Sequence, residues 1–202
     1  MTQVMFRIKN PHKKAYVDVK MIFYIIHLKI RDMNDKIIGN IQKMFEARKY
    51  KTIEINDNLI TADDNEKKVM AKLIEGRLNI SSVKSCAATF AANNIDIGII
   101  VHVAEPTSAA KKTVAHLDST GKIRVALFSR DYFRFNLMDH RLVRPHVRVK
   151  KEESLNMKKT YGVDKLPVIL TSDPVSRYFN FRPGEIIAIT RKGGYVSYRI
   201  VK

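Results

Sequence analysis

The sequence is short of cysteine, of acidic residues and of long apolar runs, and each shortage excludes something. Among 202 residues there is one cysteine, Cys86. A single thiol can neither close an intramolecular disulfide nor build a structural zinc site from several thiolates. A chain without a disulfide framework is expected in a reducing, intracellular compartment. The longest purely apolar run, Met21 to Ile26, ends at His27, far short of the roughly 20 residues that a membrane span needs. The opening Met1 to Lys9 lacks the apolar stretch and small-residue cleavage site of a secretory leader. There is no P-loop, paired-glycine dinucleotide fingerprint, nucleophile elbow or zincin helix, so neither a cofactor nor a metal is expected. No internal repeat or low-complexity tract is present.

What is abundant is positive charge. Lysine and arginine number 37 against 20 aspartates and glutamates, a net charge of +17. Such an excess favours a polyanionic partner or an acidic protein surface. Hydrophobic residues make up 45 %, enough for a core.

Along the chain, Val19 to Ile30 reads as a helix, with Met21 to Ile30 as its core face. Asn34 or Asp35 is expected to cap a second helix carrying Ile37, Ile38, Ile41, Met44 and Phe45 on one face, with Arg48 and Lys49 in its last turn. Thr52 to Ile55 alternates like a strand. Residues 56–64 read as a polar loop, Glu66 to Leu78 as a helix, and Ser82 to Asn93 as an alanine-rich helix closed by Asn93 and Asn94. Gly98 to Val103 reads as a buried strand, Thr107 or Ser108 as the cap of a helix to about His116, and Ile123 to Phe128 as another strand. This alternation predicts a sheet with helices packed on it.

Composition shifts near Leu137. Asp139 to Val149, with Pro145, two histidines and several arginines, reads as a linker. A polar helix (Lys150 to Tyr161) and a strand (Leu166 to Leu170) follow. Asp173-Pro174 is a strong helix start: the carboxylate accepts orphan amide hydrogens, and proline at the first position loses no hydrogen bond. That helix runs to Phe179, with Asn180 in the left-handed conformation that ends it. Arg182-Pro-Gly184 makes a turn. Two strands, Glu185 to Thr190 and Tyr195 to Val201, are joined by a two-residue turn at Gly193-Gly194.

Several residues invite a chemical reading. His140 and His146 could ligate a metal, but one cysteine and no carboxylate at ligand spacing favour packing or hydrogen bonding. Asp63, Asp64, Glu66 and Lys67 resemble a nuclease set superficially; a polar loop and cap accounts for them better. Cys86, in an alanine-rich helix, reads as core. Tyr132, Phe133 and Phe135 with Arg130 and Arg134 are the one cluster in which aromatics interleave with basic residues, as single-stranded nucleic acid binding would require.

The ordered motifs of the last third carry a resemblance. His140-Arg-Leu-Val-Arg-Pro-His146, Leu166-Pro167 with Ile169, Asp173-Pro-Val-Ser-Arg-Tyr178, Arg182-Pro-Gly184, Arg191 and the final Tyr198-Arg199 resemble the C-terminal domain of the fifth subunit of eukaryotic RNA polymerases, a domain that is also a subunit of the archaeal polymerase. The family pattern has Asp-Pro-Val-Ala-Arg-Tyr where this chain has Ser176. Val83-Lys84, Thr89-Phe90, Gly98-Ile-Ile-Val101 and Thr107 to Lys112 are similar to the jaw domain of the eukaryotic form. The proline one place late at Pro145, the short hairpin, Asn180 in place of glycine and the poor match over residues 1–80 depart from the pattern. With the lysine- and isoleucine-rich composition, they suggest a copy carried by a large DNA virus.

The resemblance implies an α+β protein: a jaw-like helix-and-sheet domain over residues 1–137 and a small mixed-sheet assembly domain, similar to the archaeal subunit, over 138–202. It implies a non-catalytic structural subunit of a multisubunit DNA-dependent RNA polymerase. Docking on the largest subunit would fall to His140, Leu142, Val143, His146, Leu166, Pro167, Asp173, Pro174, Arg177, Tyr178, Gly184, Arg191, Tyr198 and Arg199. Thr107, Ser108, Lys111 and Lys112 would face downstream duplex DNA through its phosphate backbone. The partners implied are the other polymerase subunits and DNA, with no membrane and no second copy of the chain. The compartment would be the host cytoplasm and virion for a viral copy, or the nucleus for a cellular one. The competing classes are a nuclease-like enzyme and a free-standing basic nucleic-acid-binding protein.

Overall fold

The computed structural model describes the backbone over residues 3–5, 16–56, 58–64, 66–121 and 123–202, and side chains from residue 32 onward. The expected core face at Met21 to Ile30 lies outside the described side chains. Strands β1 (Gln3–Met5) and β2 (Tyr16–Asp18) pair antiparallel and lead into helix α1 (Val19–Ala47). The expected break at Asn34 does not occur, and one helix replaces two. Asparagine and aspartate cost only a few tenths of a kcal/mol each inside a helix, about 0.7 at most. Burying Ile37, Ile41, Met44 and Phe45 beyond them outweighs that several-fold, since each large apolar side chain contributes about 1.5–3 kcal/mol.

Strands β3 (Thr52–Asn56), β4 (Leu59–Asp63), β5 (Lys68–Ile74), β6 (Ile97–His102) and β7 (Arg124–Ser129) form one sheet in sequence order. The first three run antiparallel and β5, β6 and β7 run parallel. Two expectations fail here. The loop over residues 56–64 contains β4, and the helix at Glu66 to Leu78 is the central strand β5. The reason is two-sided burial: Val69, Ala71 and Leu73 join the core shared with α1, while Met70 joins the core on the other face. A strand buried on both faces loses its alternation. Its lysines at 67, 68 and 72 then imitate a helical polar face.

The parallel crossovers are helices α2 (Ile80–Ala92) and α3 (Ser108–Ser119), which pack on the same face. Right-handed crossovers between successive neighbouring strands require this placement. Asn79 caps α2 by accepting the Ser82 amide hydrogen at 2.8 Å, and Asn94 follows at φ 53°. Cys86 is buried as core, and burial raises its thiol pKa. Helix α1 covers the opposite face.

The last third builds a second sheet from β8 (His146–Arg148), β9 (Val168–Ile169), β10 (Ile186–Thr190) and β11 (Val196–Val201), in the order β8-β10-β11-β9. Helices α4 (Lys151–Tyr161) and α5 (Pro174–Phe179) lie between its strands in sequence. The expected linker over residues 139–149 thus contributes an edge strand. The hairpin is also longer than expected. Arg191 N–H donates to Tyr195 O and Gly194 N–H to Arg191 O, closing a three-residue loop with Gly193 and Gly194 both at positive φ. Ile169, Phe181, Ile187, Ile189 and Val201 form a small core of their own. The class is α+β, as the resemblance implied.

Gly98 permits the closest packing in the larger sheet. A Cβ placed there would lie 2.3 Å from Phe90 Cε2 and 2.4 Å from Cδ2, and the Phe90 ring is itself fully buried. Gly98→Ala should therefore destabilise the protein by about 1–3 kcal/mol through overpacking, seen as a lower midpoint in urea unfolding. An unchanged midpoint would mean that the ring moves aside freely.

Candidate functional site

The Asp173 to Tyr178 motif folds into α5 and joins the two sheets. Asp173 Oδ1 accepts the Val175 amide hydrogen at 2.8 Å and that of Ser176 at 3.4 Å, and Pro174 occupies the first turn. Tyr178 is 2 % exposed and sits in the α1 core, where its hydroxyl donates to Asn136 Oδ1 at 2.9 Å. Arg177 lies 4.4 Å over the Phe128 ring and donates to the Leu127 carbonyl. The Tyr132 hydroxyl donates to the Pro174 carbonyl at 2.6 Å.

Arg48, at the end of α1, completes the joint. Its Nε donates to Tyr178 O at 2.7 Å and a terminal nitrogen donates to Arg177 O at 3.0 Å. These are carbonyls at the α5 C-terminus, where a cation is favoured. Burial is the main force lowering the Arg48 pKa, to about 10, so the guanidinium remains charged at neutral pH. Burial likewise raises the Tyr178 phenol to about 12, opposed by Arg48. Sequence reasoning placed Arg48 in the last turn of its own helix. Its role as a cap for a helix far along the chain had no local signal.

The expected docking residues therefore divide. Arg177 and Tyr178 are taken up inside the chain. Pro167 O accepts from Ile200 N–H at 2.8 Å, Arg191 Nε donates to Ser197 Oγ at 2.9 Å, and Gly184 turns the chain at φ 81°. His146 Nδ1 donates to the Arg144 carbonyl at 2.6 Å, and burial lowers its pKa. His140, Leu142, Pro167 and Pro174 are exposed, whereas Val143, Leu166 and Arg199 are half-buried. Tyr198, half-buried like Ala188, belongs to an apolar row whose exposed members are Val147 and Val196. Ala188 on β10 pairs with Val147 on β8 and with Tyr198 on β11, which places all three on the sheet face opposite Ile187 and Ile189. Val147 is 60 % exposed and Val196, on the same face, 45 %. Sequence reasoning missed Val147 and Val196; strand alternation could have found Val196.

At the start of α3, Thr107 Oγ1 accepts the Ala110 amide hydrogen at 3.2 Å, and Ser108 is exposed. Lys111 Nζ lies 2.5 Å from Glu105 Oε1, and that hydrogen bond is the main force lowering the Glu105 pKa. Lys112 is exposed and makes no ion pair among the described residues. In the aromatic cluster, Phe133 is buried and Tyr132 packs on Phe128, so only Phe135 offers an exposed ring. Asp64 Oδ1 accepts the amide hydrogens of Glu66 and Lys67 at 3.1 and 2.7 Å, a turn-forming role. Among the described residues no three His, Cys, Asp or Glu side chains converge as a metal site. No described helix is long and apolar enough to cross a membrane.

Residues 135–201 match the family model described as RNA polymerase Rpb5, C-terminal domain. The matched stretch takes in the second sheet and α5, with the segment that leads into them. The likeness reaches further upstream in whole-chain comparisons. A protein of Invertebrate iridescent virus 6 that carries the name of a DNA-directed RNA polymerase subunit is 28 % identical over 179 residues, covering 80 % of this chain and 95 % of that one. The Caenorhabditis elegans subunit RPABC1 of DNA-directed RNA polymerases I, II and III is 30 % identical over 133 residues, 63 % of this chain and 62 % of that one. Its Dictyostelium discoideum counterpart is 28 % identical over 130 residues, covering 61 % of this chain and 66 % of that one. The match thus spans less than two thirds of these cellular relatives. The resemblance to the fifth subunit of RNA polymerase, viral copies included, is borne out.

Ser176 departs from the family motif where the pattern has alanine, and its Oγ is buried without a hydrogen-bond partner among the described residues. Such a group costs about 1–3 kcal/mol. Ser176→Ala should therefore raise unfolding stability by about 1 kcal/mol. A loss of stability in calorimetry would show that the hydroxyl is satisfied.

Proposed function

We propose that the chain is a non-catalytic structural subunit of a multisubunit DNA-dependent RNA polymerase, working inside the cell on its transcription. Its two units meet near residue 137. The C-terminal sheet docks on the largest subunit, and the N-terminal sheet flanks downstream DNA. The observation that carries docking is the open row Val147-Ala188-Tyr198 with Val196 beside it. An exposed apolar face on a small sheet is a typical place for a large neighbour to bind. The joint around Arg48 keeps that face at a fixed attitude to the jaw-like unit. Motif residues inside the joint support docking indirectly, by holding α5.

Val196→Glu with Tyr198→Glu should leave the circular dichroism spectrum intact. The same pair should reduce recovery of the polymerase with the tagged full-length chain at least ten-fold. Undiminished recovery would move docking to another surface.

The α3 start supports a backbone contact to DNA through Lys112, with helix amide hydrogens as the second attraction. Glu105 opposes it by neutralising Lys111. Glu105→Gln should therefore strengthen the hold of the elongating complex on DNA, raising the salt concentration at which it dissociates. Lys111→Glu with Lys112→Glu should lower that concentration without loss of assembly. If neither change moves it, DNA does not pass this helix.

A further inference from the structure

A groove of about 780 Å³ runs between the two sheets. It is lined by six cationic side chains and two carboxylates. The cations come from separate stretches: Arg48 and Lys49 after α1, Lys67 before β5, Arg124 at β7, Arg148 on β8, and Arg182 after α5. Both carboxylates are engaged. Glu185 Oε2 lies 2.9 Å from Arg148 Nε and accepts the Arg182 amide hydrogen at 2.8 Å, and Asp64 holds its own turn. The side chains of Arg124 and Arg182 make no hydrogen bond or ion pair within the described residues. They are close enough for Arg124 to add to the lowering of the Arg182 pKa, which burial dominates. Folding has gathered like charges here: Arg182 lies near Arg124 and Arg148, and Asp118 and Glu185 offset them only in part.

The groove has a second recognition element. It is bordered by β8, an edge strand. Val149 N–H donates to Ile186 O and Thr190 N–H donates to Pro145 O. In an antiparallel ladder, bonded pairs alternate, so Val147 faces β10 while the N–H and C=O of His146 and Arg148 point away from the sheet. These are the groups an added strand uses.

We propose that this groove binds an extended, acidic polypeptide segment, which pairs with the free edge of β8 and places carboxylates on Arg124 and Arg182. The alternative polyanion, a nucleic acid strand, fits less well. Single strands need exposed aromatic faces for their bases, and here Tyr50 and Phe181 are buried while Phe179 stacks on Phe181 at 5.3 Å. The groove has the size of a ligand pocket. Strand β8 has three residues, so the paired part of the segment spans about 10 Å at roughly 3.3 Å per residue. Flanking carboxylates would meet the other cations.

The test uses the full-length chain and a fluorescein-labelled octaglutamate peptide at near-physiological salt. Fluorescence anisotropy should show saturable binding. Arg124→Gln with Arg182→Gln should weaken it at least ten-fold, and Arg124→Gln alone, at an exposed position, several-fold. Lys159→Gln with Lys192→Gln removes the same charge elsewhere, at exposed positions, and should change it less than two-fold. The His146 and Arg148 amides should gain protection from hydrogen exchange when peptide is added. Absence of saturable binding, or equal weakening by both charge-matched pairs, would overturn the site. Unchanged exchange at both amides would overturn strand addition. Tighter binding of an oligothymidylate of equal charge, lost with the same two arginines, would reassign the groove to nucleic acid. Each readout is independent of the polymerase, so failure of the docking assignment would not be mistaken for failure of this one.

Discussion

The relation between the two sheets rests on one buried cation. Arg48 leaves the end of α1 and places its guanidinium on the last carbonyls of α5. It has no carboxylate partner among the described residues; helix-end carbonyls balance its charge. The balance holds because Tyr178 O has no backbone donor among the described residues, Arg177 O takes the guanidinium as a second donor beside Asn180 N–H, and both lie at the negative end of the helix dipole. Removing the cation would leave the Tyr178 carbonyl without its donor at the same point where the Tyr178 ring enters the larger core. Arg177 and Tyr132 brace the other side of α5 against β7 and its following turn.

This joint explains what the polymerase-family motif does in this chain. The aspartate and proline start the helix, the arginine and tyrosine fasten it to the first unit, and the left-handed Asn180 ends it. The motif serves the attitude of the C-terminal sheet more than it serves contact with a neighbour. The surfaces left over are different in kind. The sheet face with Val147, Ala188 and Tyr198 is apolar, whereas the groove between the sheets is basic. The docking proposal and the groove proposal therefore rest on separate surfaces.

The large surplus of positive charge is distributed unevenly in its effect. Lys111 is cancelled by Glu105 and Arg148 is paired with Glu185. Arg48 and Arg177 are engaged by carbonyls and rings inside the joint. Arg124 and Arg182 make no ion pair among the described residues and lie near each other, with Asp118 and Glu185 offsetting Arg182 only in part, which makes the groove distinct from a generally basic surface.

Local chemistry determined the parts that needed only neighbours in sequence. Thr107 and Asp173 mark helix starts because a short polar side chain meets amide hydrogens two or three residues on. Asn180 marks an end because few residues accept a left-handed backbone. The C-terminal motif order was enough to carry the resemblance that the family model matches over residues 135–201. Tertiary structure decided the rest. Strand β5 was misread because burial on both faces erased its alternation, and β4 because a hairpin partner made a polar segment extended. Asn34 did not break α1 because packing beyond it outweighs its small intrinsic cost. The partners of Arg48, the burial of Tyr178, the apolar row and the neighbouring arginines of the groove join residues tens of positions apart. No local pattern encodes such meetings, since they depend on where the sheets bring distant side chains together.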